Sequence, residues 1–131
     1  MANYNCTIIS NYFRVKDEDT YKELMSKVSG DDMYLYTEER NGEIYHFFGS
    51  YGTIYGIEIE DEDEDYDYDI FIENLQRCVH DEDAIIIQEV GHEKMRYVAA
   101  LATIITSKDI KILDLGNLAL DVAKDMLNLW K

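Results

Sequence analysis

The sequence has no proline, only two cysteines and no long hydrophobic run. Cys6 and Cys78 fit neither a CxxC pair nor any Cys/His metal spacing, which argues against a disulfide framework or a zinc site. No segment reaches the roughly 18 apolar residues of a membrane span, and the N-terminus has no basic region followed by an apolar run. The lack of proline and of Ser- or Gly-rich linkers predicts one domain over residues 1–131. We therefore expect a cytoplasmic protein without a membrane partner.

Positive charge is also scarce, with 12 Lys and Arg residues against 28 Asp and Glu residues and a formal net charge of −16. Contact with phosphate requires cations, so this balance argues against direct binding to DNA, RNA or anionic lipid. It favours attraction to basic surfaces, and the most basic clefts in a cell belong to proteins that act on nucleic acid. The expected partner is a basic cleft of that kind.

The sequence lacks the common motifs of catalysis and cofactor binding. The glycine-rich segment at 49–56 lacks the lysine of a phosphate-binding loop, because no Lys or Arg lies between Arg40 and Arg77. None of the three histidines has the spacing of a metal site. His92 and Glu93 could serve a small hydrolase, although a polar turn between two strands explains them more simply. The sequence predicts no enzyme, no cofactor and no metal site.

Hydrophobic periodicity in the first half predicts a strand over 7–15, a helix over 19–29 and a strand over 53–59. The Asn41-Gly42 pair between two aromatic and β-branched runs predicts a hairpin with a two-residue turn. Asp17 or Asp19 would cap the helix, and Gly30 would stop it. The apolar face of this helix comprises Tyr21, Leu24, Met25 and Val28.

The second half predicts a helix over about 67–79 and strands over 84–90 and 96–105, the last apolar enough to be covered on both faces. KILDL (111–115) would add an edge strand. A third helix in the C-terminal segment carries one stripe of Leu118, Ala119, Val122, Met126 and Trp130. The fold class is α+β, a single domain of mostly antiparallel sheet with about three helices packed on one face.

One stretch concentrates the negative charge. In EIEDEDEDYDYD, residues 58–69, nine of twelve residues are Asp or Glu and none is Lys or Arg, and the run begins on the last residues of the 53–59 strand. A calcium loop starting at Asp61 fails, because Tyr66 stands where glycine is required and Ile72 where glutamate is required. The ordinary interpretation of such a run is a solvated acidic loop.

A second interpretation is imitation of a nucleic-acid backbone. An extended peptide advances about 3.3 Å per residue and the phosphates of one DNA strand about 3.4 Å, so the two charge spacings match. Tyr66 adds an exposed ring for arginine stacking, whereas Tyr68 fits the apolar stripe of the second helix. The acids of 17–19 are further contacts. The candidate partner-binding residues are Glu58, Glu60, Asp61, Glu62, Asp63, Glu64, Asp65, Tyr66, Asp67 and Asp69, with Glu38 and Glu39 as a secondary pair.

The segments ISNYFRVKDED, GSYG and GHEKMRYVAALATIITSKDI resemble a family of small acidic proteins from phages and other mobile elements of Gram-positive bacteria. This resemblance covers most of the chain and implies no particular chemistry. In charge and size, without a shared motif, the sequence also resembles the DNA-mimicking inhibitors of bacterial defence nucleases, such as anti-CRISPR and antirestriction proteins. That likeness implies a mechanism and assigns no residue.

Charge and resemblance together predict a non-enzymatic inhibitor that occupies the DNA- or PAM-binding cleft of a Cas9-type nuclease in the host cytoplasm. The alternative is a protein-binding adaptor or regulatory protein of a mobile element, which binds through a sheet edge or an aromatic surface. In that case the acidic segment is only solvated.

Overall fold

The computed structural model describes residues 5–59, 65–93 and 97–127, which form three helices and nine strands, and the α+β prediction is confirmed. The helices are α1 Glu18–Ser26, α2 Tyr68–Cys78 and α3 Leu115–Leu127. The strands are β1 Asn5–Ser10, β2 Val28–Gly30, β3 Met33–Arg40, β4 Glu43–Ser50, β5 Ile54–Glu58, β6 Tyr66–Asp67, β7 Ile85–Glu93, β8 Tyr97–Ile105 and β9 Ile110–Asp114.

The strands form two antiparallel sheets. The main sheet has the order β3-β4-β1-β7-β8-β9, and a small sheet has the order β2-β5-β6. The predicted Asn41-Gly42 turn joins β3 to β4, which pair from Met33–Ser50 to Arg40–Glu43. Both turn residues have positive φ, 52° and 82°, as a type I′ hairpin turn requires. The hairpin prediction is therefore confirmed.

The core lies between one face of the main sheet, called the inner face, and helices α1 and α2. Phe71 of α2 packs on Phe48 of β4 with ring centroids 5.9 Å apart, and Tyr21 of α1 lies 4.4 Å from the ring of His46. Each fully buried aromatic or aliphatic side chain stabilises the fold by about 1.5–3 kcal/mol. The apolar stripe predicted for α2 is confirmed, because Phe71, Ile72, Leu75 and Cys78 are all buried.

The strand predicted over 7–15 ends earlier, at Ser10, because the Asn11 side chain bends the chain. Its Oδ1 accepts from the N–H of Ile86 at 2.8 Å, and its Nδ2 donates to the carbonyl of Ala84 at 2.9 Å. These bonds add to the backbone bond from the Asn11 N–H to the Ile86 carbonyl, at 3.2 Å, at the end of β1. Beyond this point Phe13 and Val15 form only isolated bridges, to His46 and Val79.

The first helix begins as predicted but ends three residues before the expected position. Asp17 caps α1 by accepting from the N–H groups of Asp19 and Thr20 at 2.9 and 3.3 Å. After Ser26 the chain turns into β2, which pairs with β5. Val28, expected on the helix face, therefore belongs to a strand, and Gly30 ends that strand rather than a helix.

Two expectations about the C-terminal half are wrong. Strand β8 was expected to be covered on both faces, yet Val98 is 74% exposed, because β8 lies next to the edge strand β9 and α3 covers its outer side only in part. The three helices were expected on one face of the sheet. Instead, Leu115 and Leu118 of α3 line a groove with residues of the face opposite to α1 and α2.

Arg14 ties three separate segments together through ion pairs. Its Nε and Nη2 donate to the two carboxylate oxygens of Asp83 at 3.0 and 2.7 Å, and its Nη1 donates to Glu43 at 3.0 Å. The hydrogen bonds from Arg14 hold the pKa of Asp83 below its usual range. Because the side chain of Asp83 is only 16% exposed, water screens this pair less than a surface pair.

The lowered pKa of Asp83 predicts a defined acid dependence. The stabilisation is fully present above the unfolded-state pKa, about 3.9, and is lost as the pH falls through the lower folded-state pKa. The difference in free energy of unfolding between the wild type and Asp83→Asn should therefore be largest above about pH 5 and shrink toward pH 2. Urea titrations across this range measure it. Asp81 forms an exposed ion pair with Lys16, so Asp81→Asn should lower the free energy of unfolding by less than Asp83→Asn. Equal losses in the two variants would contradict a special role for the Arg14–Asp83 pair.

Candidate partner-binding surface

The acidic run leaves and re-enters the fold on two paired strands. Glu58 of β5 pairs with Tyr66 of β6, and the N–H of Ile59 donates to the carbonyl of Asp65 at 2.9 Å. We call residues 54–67 the acid hairpin. Five candidates between these ends lie outside the described residues, namely Glu60, Asp61, Glu62, Asp63 and Glu64.

A glycine permits the close approach of the two strands. Gly56 has φ of 113°, in the region that side chains disfavour. A Cβ built at this position would lie 2.3 Å from the carbonyl oxygen of Asp67 and 2.5 Å from its carbonyl carbon. The sequence signal was the glycine itself, which was considered only as part of a phosphate-binding loop. In the structure it fixes the distance between β5 and the start of α2.

The C-terminal part of the acidic run serves the fold as well as the surface. Asp67 caps α2, its carboxylate accepting from the N–H of Ile70 at 3.0 Å. Asp69 lies in the first turn, where negative charge is favourable. Tyr68 packs against the core, as expected, and burial raises its pKa to about 12. Of the two tyrosines in the run, only Tyr66 is exposed, at 39%.

A second tyrosine and a further carboxylate join the hairpin, and sequence reasoning did not select them. The Tyr55 hydroxyl lies 3.0 Å from both carboxylate oxygens of Asp31, on the turn after β2. This hydrogen bond raises the pKa of Tyr55. The rings of Tyr55 and Tyr66 lie 6.0 Å apart and are both exposed. The hairpin base thus presents two rings beside carboxylates.

The carboxylates of the hairpin base are not neutralised by the described lysines and arginines. The ion pairs in residues 5–59, 65–93 and 97–127 place Arg14 on Asp83 and Glu43, Lys16 on Asp81, Lys27 on Glu23 and Arg40 on Glu38. None of these described pairs involves Glu58, Asp65, Asp67 or Asp69. These four described cations therefore reduce the negative charge outside the acid hairpin.

The secondary candidates lie in a different sheet from the acid hairpin. Glu38 and Glu39 are consecutive residues of β3, so they point to opposite faces of the main sheet. Glu38 is already bonded by Arg40, with Nη2 at 2.6 Å and Nε at 2.9 Å. Among the acids of 17–19, Asp17 caps α1 and Glu18 binds His46 at 2.8 Å. These side chains have roles inside the fold.

The residues considered for a hydrolase are not placed to share a proton. His92 and Glu93 follow each other in β7, which continues through the segment expected to be a turn. Neighbouring strand residues project to opposite faces of a sheet. The structure therefore gives no support to a catalytic pair at this position.

A buried polar cluster that sequence reasoning missed surrounds His46. This side chain is 2% exposed, and its Nδ1 lies 3.1 Å from the Thr37 hydroxyl while its Nε2 lies 2.8 Å from Glu18. Both ring nitrogens of His46 thus have a side-chain partner inside the fold, which favours a structural role. Sequence spacing gave no signal, because Glu18 is 28 residues away.

Comparisons of this chain with family models, curated proteins and solved structures found no match. Within the described residues, no helix has the length and apolar character needed to cross a membrane. In the same part of the chain, no three His, Cys, Asp or Glu side chains come together in a way that could hold a metal ion.

Proposed function

We propose that the protein is a non-enzymatic inhibitor that inserts its acid hairpin into the DNA-binding cleft of a nucleic-acid enzyme, with a Cas9-type nuclease as the leading candidate. The observation that carries this proposal is that no ion pair among the described residues involves Glu58, Asp65, Asp67 or Asp69, the described acids of the run. The run has nine carboxylates in twelve residues, and four described cations that form ion pairs, Arg14, Lys16, Lys27 and Arg40, bind carboxylates outside it.

The anchoring of the run supports insertion into a cleft. The described residues on its two sides, in β5 and β6, are joined by strand pairing. A segment held at both ends loses less conformational entropy on binding than a free tail. The cations of a DNA-binding cleft would contact several carboxylates of one chain in place of successive phosphates.

The tyrosines at the base of the hairpin suit the arginines of such a cleft. Tyr55 and Tyr66 present exposed rings 6.0 Å apart, and Asp31 lies beside Tyr55. An arginine stacks on an aromatic face and donates hydrogen bonds to carboxylates, and this combination is available here. In a Cas9-type enzyme the arginines that read the PAM would be occupied in this way.

DNA displacement from a guide-loaded Cas9-type nuclease tests the proposal. The wild-type protein should compete with a labelled PAM-containing duplex, measured by fluorescence anisotropy. The triple variant Asp61→Asn, Asp63→Asn, Asp65→Asn should compete about tenfold less well or worse, since three charge pairs at up to about 1 kcal/mol each are lost. Far-UV circular dichroism should show the same fold for both proteins.

A matched control makes the same change in net charge at other exposed positions. Glu23→Gln, Asp81→Asn and Glu82→Gln remove three charges from side chains that are 71%, 73% and 78% exposed. This variant should compete nearly as well as the wild type. Equal losses of competition in the two variants would mean that only the net charge of the protein matters. Full activity of the hairpin variant would contradict the proposal and favour the adaptor hypothesis.

A further inference from the structure

Helix α3 is apolar around most of its circumference and yet is not buried. Its polar side chains form one narrow stripe, and the remaining residues apart from Gly116 are apolar. A helix of this composition is normally enclosed by other elements. None of its residues is buried, with Leu118, Val122 and Met126 at 44%, 56% and 80% exposed. The described part of the predicted stripe, Leu118, Ala119, Val122 and Met126, therefore faces solvent in the single chain, and Trp130 lies outside the described residues.

The sheet next to α3 is also apolar and open. On the face opposite to the core, called the outer face, Val90 lies across from Ala100, and Ala102 lies across from Leu113. Val90 is 60% exposed, and Val98, on the same face, is 74% exposed. The solvated face of an antiparallel sheet normally carries polar residues. This part of the outer face has the composition of an interface.

A groove of about 280 Å³ runs between these two apolar surfaces. Its walls are Val90, Ala100, Ala102 and Leu113 of the sheet and Leu115 and Leu118 of α3. An apolar ridge, the exposed side of α3, thus lies directly beside an apolar groove. A surface that carries a ridge and a matching groove side by side is self-complementary under a two-fold axis.

We propose that a second copy of this chain covers this surface, with apolar side chains of α3 of each subunit inserted into the groove of the other. A stable interface takes about 800 Å² from each partner. That is less than a tenth of the 9134 Å² accessible surface of the chain, and the exposed aliphatic side chains of α3, β7 and β8 provide an apolar area of this order. The dimer does not rest on the proposed function, and it would give one inhibitor two acid hairpins.

The charges around the groove favour a second copy over a strongly basic partner. Lys111 lies on the outer face of β9, next to the groove, and Asp121 and Asp125 lie on the polar stripe of α3. None of these three forms an ion pair with another described residue. Charges of both signs thus lie beside the apolar surface, which suits a second copy with the same mixed charges better than a strongly basic partner.

Light scattering coupled to gel filtration, on the full chain at micromolar concentration, tests this dimer. The wild type should have twice the 15.3 kDa mass of one chain. Leu118→Glu and Met126→Glu should each raise the dimer dissociation constant at least tenfold. Met126 is so exposed that its substitution cannot disturb the single chain, so this variant decides the matter if Leu118→Glu fails to fold.

Leu35→Glu is the matched control, because Leu35 is 52% exposed on β3, at the opposite edge of the main sheet. This variant should remain dimeric. A monomeric wild type would overturn the proposal and leave the surface to another protein. Dimeric Met126→Glu, or dissociation by Leu35→Glu as well, would also overturn it, because the contact would then lie elsewhere or be non-specific.

Discussion

Gly56→Ala should lower the free energy of unfolding by about 3 kcal/mol or more. At φ of 113° a side chain is strained, and the new Cβ would lie 2.3 Å from the Asp67 carbonyl oxygen. Neither atom of this contact is at the flexible end of a side chain, so β5 and β6 must separate. Because Asp67 also caps α2, the change should reach that helix. Urea denaturation followed by circular dichroism measures the loss.

Gly42→Ala separates the two causes of this effect. Gly42 also has positive φ, 82°, but a Cβ there would meet no atom within 4 Å. Its substitution should therefore show only the conformational penalty, about 1–2 kcal/mol. If both variants lost the same stability, the close approach of β5 and Asp67 would carry no energetic weight, and the described hairpin geometry would be wrong.

His46→Ala should lower the free energy of unfolding by about 3–4 kcal/mol. The substitution leaves a cavity beneath Tyr21, whose ring lies 4.4 Å from that of His46, and removes the partners of Glu18 and Thr37. A domain of this size is stabilised by about 5–15 kcal/mol in total, so the fraction lost is large. Chemical denaturation at neutral pH gives the value.

Glu18→Gln is the control for His46, because glutamine keeps the shape of glutamate and a hydrogen-bonding atom near Nε2. Its effect should stay below about 1 kcal/mol. DNA displacement by His46→Ala, measured where the variant is folded, should match that of the wild type. Loss of inhibition by a folded His46→Ala protein would indicate that the cluster of His46, Glu18 and Thr37 has a function beyond stability.

The elements that the sequence predicted correctly are those with strong local signals. The Asn41-Gly42 turn and the apolar stripe of α2 each lie within a few consecutive residues, and both are present. The small sheet was missed because β2 has three residues and β6 has two, too few for a pattern. The end of β1 depends on Asn11 binding residues 73 and 75 positions away, which no local pattern reports.

The candidate surface likewise has features that the sequence predicts and features that it does not. The concentration of acids at 58–69 and the exposure of Tyr66 could be predicted from residue types alone. The pairing of Tyr55 with Asp31 could not, because the two residues are brought together by the β2–β5 pairing. Nor could the sequence show that Arg40 neutralises Glu38, or that α3 remains exposed on the outer face. These facts depend on the tertiary structure.

The most direct test of the account is DNA displacement measured across a range of salt concentrations for the wild type and the Asp61, Asp63, Asp65 to Asn variant. If Lys and Arg side chains of the nuclease bind the hairpin carboxylates, inhibition by the wild type should weaken steeply as the salt concentration rises from about 50 to 200 mM. The variant should inhibit less, and its inhibition should depend less on salt. Inhibition that is indifferent to salt, or an identical salt dependence for the two proteins, would contradict the account.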